Sequence, residues 1–410
     1  MLAASAFLAM VGFGSLFLLV VALKPIAQEF DWPRGVPSFA FSLFYIGEGL
    51  GGIAMGYWMD RAGIGKPVFL GALMIGSGAI AASHATNQWY LYVAFGLMMG
   101  LLGQASLFAP LVANISHWFT RNRGMAIGIV LSGQTLAGAI WPPIFRYFND
   151  EIGWRGTFFW FGVFALAVMV PVSLVLRRRP PDQPFAPRRT SEAVGPRGQG
   201  RSERAVSGGR SGASAISVLR LQATLSIAGV ACCIGMSMPL THLVARASDL
   251  GHAPARAAEM LAVMLFAGFA TRVFGLGFLS SRLGGLGALF VFSCMQGAML
   301  TTLIFTQDLI WLYVVAALFG LGYAGIVPCY PIIVREFMPA HQAGRRIAGV
   351  VLFPGLGMAI GGWLGGYIYD LTGSYDAAFA AGVAFNAVNL AIIGALIRCQ
   401  RRGSLIPAAA

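Results

Sequence analysis

Long apolar stretches separated by short polar ones recur along the whole chain, and their length sets the prediction more than any finer periodicity. Runs close to the ~20 residues needed to cross hydrocarbon fall at residues 3–23, 37–59, 67–84, 90–112, 124–147, 157–176, 219–243, 257–279, 287–306, 309–334, 346–369 and 377–397, twelve in all. Each is predicted to be a helix, because a segment inside a bilayer has to satisfy its backbone hydrogen bonds internally. Several contain Gly or Pro, which neighbouring helices accommodate by taking up the freed backbone groups. The first run starts almost at Met1 with no basic segment ahead of it, so it reads as a spanning helix rather than a cleaved signal peptide. Residues 177–216 change character to Arg, Pro, Gly and Ser. Such a segment buries too little apolar surface to offset its ordering entropy and is predicted to be a disordered linker. The expected organisation is a helical bundle over 1–176, a basic linker over 177–216, a second bundle over 217–402 and a short tail over 403–410.

Composition agrees with this pattern and narrows the class. The chain of 410 residues is 57% hydrophobic and 10% charged, with a mean hydropathy of +0.74, whereas soluble domains carry roughly 25% charged residues. A multi-pass protein of the cell membrane is expected, in the inner membrane if the source is bacterial. The net charge of +13 invites a nucleic-acid reading until the arginines are placed. With twelve spans both termini share a face, and that face collects Arg61, Lys66, Arg121, Arg123, Arg177 to Arg179, the linker arginines, Arg282, Arg335, Arg345, Arg346, Arg398, Arg401 and Arg402. The other face keeps Lys24, Arg34, Arg146, Arg155, Arg246 and Arg256. By the positive-inside rule both termini are cytoplasmic. The charge reports orientation, with some attraction to anionic lipid, and no nucleic-acid partner is expected. Five cysteines without paired spacing predict neither a disulfide framework nor a zinc site, and no cofactor is expected.

Two charges lie well inside apolar runs. Arg272 sits a little past the middle of MLAVMLFAGFATRVFGLGFLSSR, residues 260–282. A guanidinium at that depth costs ~2.5–3.5 kcal/mol on insertion scales, so it faces a partner or a watery cavity rather than lipid. It is either a contact for the handled solute or an arginine that holds helices together. Glu48 follows Ser42 and Tyr45 and precedes Gly52 on one helical face. It is read either as a proton-carrying carboxylate or as a structural hydrogen-bonding group.

The loop after the second run reads Gly56-Tyr-Trp-Met-Asp60-Arg61-Ala-Gly63-Ile-Gly-Lys66. It resembles the G-x-x-x-D-R-x-G loop of the major facilitator superfamily, where it acts as a conformational latch. Gly56 is expected to permit close helix approach and Arg61 to anchor the loop. This copy departs from the pattern at Ile64 and Gly65, which stand where a basic pair is usual. Trp118-Phe119, then Arg123, Gly124, Ala126 and Gly128, followed by Gly153-Trp154-Arg155 and Phe158, resemble the oxalate/formate antiporter and monocarboxylate-transporter branch. An offset of 221 takes Gly56, Arg61 and Gly63 to Gly277, Arg282 and Gly284, and Trp154 to Tyr375. The resemblance implies an all-α membrane fold of twelve helices in two pseudo-symmetric six-helix bundles, with substrate held between the halves.

The same offset carries Arg272 onto Gly51, within about one helical turn of Glu48 in depth. A cation in the eighth helix resembles the carboxylate anchor of oxalate and monocarboxylate carriers. The acidic residue that monocarboxylate carriers place one turn earlier is replaced by Gly268, and the second cation of oxalate exchangers is absent near Phe353 and Pro354. One buried cation favours a singly charged substrate. Tyr45, Gln104, Gln134, Tyr323 and Tyr330 are further candidates for its contacts, on helices that line the cavity in relatives. The expected latch comprises Gly56, Asp60, Arg61, Gly63, Arg123, Gly277, Arg282 and Gly284. The glycines 320, 322 and 325 match G-x-G-x-x-G but lack a preceding strand, so helix packing explains them.

These observations predict a monomeric secondary transporter of a small organic anion, most simply a monocarboxylate, coupled to protons through Glu48 or running as an exchanger. A proton-driven exporter of hydrophobic or cationic solutes is the alternative within the family, and a transporter-like sensor the alternative outside it. An enzyme is not expected, since no Walker loop, H-E-x-x-H or paired-cysteine motif is present.

Overall fold

Twelve helical rods fill the computed structural model, which describes residues 1–118, 123–176, 218–338 and 343–403. The expected linker at 177–216, the tail beyond Gly403 and the side chains of Asp60 and Arg123 lie outside the described residues. Ten helical segments are long and apolar enough to span a membrane, and two of these, Gly128–Val175 and Pro254–Phe305, run for 48 and 52 residues. At 1.5 Å per residue each is about twice a bilayer core in length. Each is broken at one glycine with non-helical backbone, Gly153 (φ 71°) and Gly284 (φ 68°). The rods are α1 (Leu2–Glu29), α2 (Gly35–Ala62), α3 (Gly65–Ser83), α4 (88–118), α5 (123–152), α6 (154–175), α7 (Val218–Asp249), α8 (254–283), α9 (285–305), α10 (Leu309–Phe337), α11 (Ala343–Thr372) and α12 (Tyr375–Arg401). An even number of rods puts both termini at one end of the molecule, called here the terminal end; the opposite end is the far end.

Helices α1–α6 pack into one bundle and α7–α12 into a second, meeting along α2 against α11 and α5 against α8. Helices α1 and α7 are the most enclosed, as expected for the helices at the centre of a two-bundle seam. The repeat seen in the sequence is visible in the loops as well. Gly63 and Gly284 both take positive φ, 77° and 68°, a conformation that other residues adopt only with strain. Two residues earlier the paired arginines do the same thing twice: Arg61 lies 3.9 Å above the Tyr57 ring and Arg282 lies 4.3 Å above the Phe278 ring.

The two seams are not closed along their whole length. At the far end, a side chain at Gly362 would run into Phe41 and one at Gly366 into Ser38, and the Ser42 hydroxyl donates to the Ala359 carbonyl. The opposite face of α11 is equally tight, with Gly361 against Ser237 and Gly365 against His242 of α7. The glycines of α11 thus make close contacts on both faces of the helix. Toward the terminal end the same stripes separate. A Cβ added at Gly52 or Gly56 of α2, Gly128 of α5, Gly277 of α8 or Gly355 of α11 would meet nothing within 4 Å. The close helix approach expected at Gly56 is thus not made, because the bundles diverge before reaching that level.

The far end is held by charge. Asp249 at the end of α7 accepts hydrogen bonds from Lys24 (2.7 Å) and from the Arg34 guanidinium. Arg34 also donates to the Tyr375 hydroxyl (3.0 Å) and lies 3.8 Å above the Tyr369 ring. Burial works against its charge, but the hydrogen bonds and charges of Asp249 and Tyr375 outweigh that, and the guanidinium is held above its ordinary value. The α2 N-terminus has no cap of its own; instead Asp370 of α11 accepts from the backbone N–H groups of Arg34 and Gly35, both at 2.7 Å. A helix of one bundle is therefore capped by a carboxylate of the other, which also suits the helix dipole.

Candidate functional site

Arg272 occupies a local π-helical turn, Thr271–Gly275, in the middle of α8. Such turns widen the helix and release a carbonyl, and they recur at functional positions. The Thr271 hydroxyl ties the turn to α10 by donating to the Leu321 carbonyl at 2.9 Å. From there the guanidinium reaches across the seam. Its Nη1 donates to the Leu131 carbonyl of α5 (3.1 Å), in the other bundle, while Nε donates to the Ala324 carbonyl of α10 (3.4 Å). It forms no ion pair among the described residues. Backbone acceptors thus stand where an anionic partner would be stronger, and the remaining N–H groups are left for one.

Two phenols, Tyr323 of α10 and Tyr45 of α2, lie within electrostatic reach of the Arg272 guanidinium. Tyr45 is in turn within reach of Glu48. Helices from both bundles are therefore represented around Arg272. Glu48 itself makes no hydrogen bond or ion pair among the described residues and is half-buried. The ring of Tyr45 packs against Phe41 (centroids 5.1 Å apart) and Phe44 (6.0 Å), and Tyr323 stacks on Phe319 (5.9 Å).

Gly268, one turn before Arg272, has a local steric reason. A Cβ there would lie 3.0 Å from the Tyr323 ring and 3.0 Å from Ala324, closer than ordinary van der Waals contact. The space in which the branch's acidic side chain would sit is filled by Tyr323.

The remaining candidates are dispersed. Tyr330 is fully buried, its hydroxyl has no partner among the described residues, and its ring faces Gly229 of α7 rather than Arg272. Gln104 is also buried, closing a π-helical stretch of α4, and its Oε1 lies 3.0 Å from where a Gly12 side chain would begin. Gln134 is half-buried, three residues from the Leu131 that accepts from Arg272. Of the residues expected to form a latch, Arg61 and Arg282 stack on their own helices as described above. Beside the second of these loops the Glu336 carboxylate accepts from the Gly285 N–H at 2.9 and 3.0 Å, capping the start of α9. No spacing in the sequence singled out Glu336, Asp249 or Asp370, because each acts on a segment far away in the chain.

Two helical bundles meeting around a half-buried cation, with α2 and α11 in close contact at one end and parted at the other, form the frame of a membrane transporter. The family profile described as Major Facilitator Superfamily matches residues 2–291 and again 223–409, and the chain belongs to that family. It is 25% identical to monocarboxylate transporter 13 of Rattus norvegicus over 382 residues, covering 91% of this chain and 81% of that protein. The Bos taurus protein of the same name is 26% identical over 386 residues, covering 91% and 82%. Among solved structures, a bacterial homolog of the human lysosomal transporter Spinster, inward-facing and occupied, superposes with a TM-score of 0.70 at 16% identity, covering 97% of this chain and 96% of that one. The chain is a multi-pass membrane transporter of the monocarboxylate-like branch, with a small-molecule substrate and no catalytic chemistry to perform.

Proposed function

We propose that this transporter carries a small monocarboxylate, bound through Arg272. The observation that supports this most is the guanidinium's position: half-buried at the seam, bonded only to backbone carbonyls of the two bundles, and flanked by two phenols. A carboxylate arriving from the open end replaces the Leu131 carbonyl as the acceptor, gaining charge-assisted hydrogen bonds that are roughly twice as strong as neutral ones. Tyr45 and Tyr323 orient the second carboxylate oxygen. A second negative charge would find no second cation at this level, which favours monoanions. The names of the relatives agree with this reading.

Glu48 is the proposed coupling group, carrying a proton in one half of the cycle, with Tyr45 conveying its charge state toward Arg272. The arginine-rich terminal end is proposed as the cytoplasmic face of the cell membrane, so the conformation described here opens inward. Both sides of the binding level come from one chain, and a monomer suffices. The test is uptake of radiolabelled monocarboxylates into proteoliposomes. Arg272→Gln is expected to abolish uptake while the protein still assembles, and wild-type transport by that variant would remove the site.

A further inference from the structure

Behind the seam, the second bundle holds a set of polar side chains that the transport site does not use. Gln296 of α9 donates from Nε2 to the Cys232 carbonyl of α7 (3.1 Å) and to Asn386 Oδ1 of α12 (3.4 Å), and Asn386 Nδ2 donates to the Ser293 carbonyl (3.0 Å). Ser293, Gln296 and Asn389 are completely buried and Asn386 is 1% exposed. Yet Gln296 Oε1, the Ser293 hydroxyl and both amide atoms of Asn389 have no hydrogen-bond partner among the described residues. The Ser293 hydroxyl faces the Cys232 thiol without an ordinary hydrogen bond to it. Leaving one buried polar group unpaired costs ~1–3 kcal/mol, so four such atoms, on Ser293 and Gln296 of α9 and on Asn389 about one turn from Asn386 of α12, call for a ligand.

The fold itself does not require this polarity. The 221-residue offset maps Cys232, Ser293, Gln296, Asn386 and Asn389 onto Val11, Ala72, Ile75, Ala165 and Val168 of the first bundle, every one of them non-polar. Val11, Ala72, Ile75 and Ala165 are fully buried in its core. The same three-helix junction is therefore built dry in one half and polar in the other. The neighbouring stretch of α7 also has a backbone irregularity: Pro239 lies inside the helix and has no N–H to give to the Gly235 carbonyl four residues before it. That carbonyl lies one turn from Cys232, and a side chain at Gly235 would meet the backbone of Gly382 on α12, 2.7 Å away.

We infer that Ser293, Gln296, Asn386 and Asn389 form an internal hydration site of the second bundle, holding ordered water against α7 beside Cys232. Water suits the unpaired set because it donates and accepts at once, as the Asn389 amide and the Ser293 hydroxyl both require. A monovalent cation would satisfy the oxygens but leave the Asn389 N–H groups unpaired, and no carboxylate is present in the set to offset its charge. Water here gives α7, which carries Pro239 and packs on α11, a polar backing that can re-form its hydrogen bonds as the helix moves. At the aligned positions behind α1 the first bundle has apolar side chains instead.

Radiolytic labelling in H₂¹⁸O tests the site directly, since hydroxyl radicals formed from trapped water mark adjacent side chains that bulk solvent never reaches. On the full chain in nanodiscs, with each rate divided by that of the same residue in the unfolded chain to remove the higher intrinsic reactivity of a thiol, Cys232 is expected to take up the label several-fold faster than Met99, which is equally buried in the first bundle. Asn389→Leu should reduce labelling of Cys232 several-fold and lower the Tm. Normalised Cys232 labelling no faster than that of Met99, or a higher Tm for Asn389→Leu, would show a dry cluster and overturn the inference. A Tm that rises with sodium relative to choline, without labelling of Cys232, would overturn it in favour of a cation site. None of these outcomes depends on whether Arg272 binds a carboxylate.

Discussion

Arg272 was visible in the sequence because a charge in the middle of an apolar run has few reasons to be there. What it touches was not visible, since its acceptors are the Leu131 and Ala324 carbonyls and every residue has a carbonyl. Gly268 shows the same division. Its identity marked a departure from the monocarboxylate branch, but only the structure supplies the cause, the Tyr323 ring that occupies the space. Gly268→Asp is therefore expected to impair uptake by displacing Tyr323, with an overpacking cost of ~1–3 kcal/mol, readable as a lower Tm. Restoration of both by the double change with Tyr323→Ala would identify the ring as the cause; restoration of Tm alone would place Tyr323 in substrate binding. Glu48→Gln, which removes the titrating group at nearly constant size, should abolish the dependence of uptake on a pH gradient while sparing exchange between labelled and unlabelled substrate. A Glu48→Gln carrier still driven by the gradient would move the coupling role elsewhere.

At the level of helices, the twelve apolar runs translated almost directly into rods, because span length and composition alone determine them. The doubled segments 128–175 and 254–305 needed more, a glycine able to take positive φ at the loop, and Gly153 and Gly284 occupy those points. The glycines of α11 make close contacts on two faces. Gly56 was expected to permit such an approach and is open here, since a glycine permits close approach without compelling it and the conformation decides. Gly362→Leu should consequently prevent far-end closure by forcing a side chain into Phe41, and cysteine accessibility at far-end positions such as Ser38 should rise. An unchanged accessibility would mean that α2 and α11 do not form the seal. Asp370→Ala removes the cap that α2 receives from the other bundle, expected to weaken the closed state by ~0.5–2 kcal/mol.

For the whole molecule, the two halves were legible as a repeat at offset 221, and the loops repeat even in their arginine–aromatic stacking. How the halves meet was not legible. The far-end closure joins Lys24 and Arg34 of one bundle to Asp249, Asp370 and Tyr375 of the other, across more than 200 residues of chain, and no local pattern encodes such pairs. In this conformation they tie the two bundles together at the far end by charge. Arg34→Gln is expected to shift the population toward far-end-open states, seen as longer spin-label distances across α1 and α7; unchanged distances would assign closure to the glycine contacts alone. The central claim, however, concerns what passes between the bundles, and one measurement bears on it most directly: uptake of a radiolabelled monocarboxylate into proteoliposomes by the wild type and by Arg272→Gln, each verified as folded. The wild type should accumulate label and compete with other monocarboxylates while Arg272→Gln does not. Equal accumulation by both proteins, or none by a folded wild type across a panel of monocarboxylates, would contradict the account.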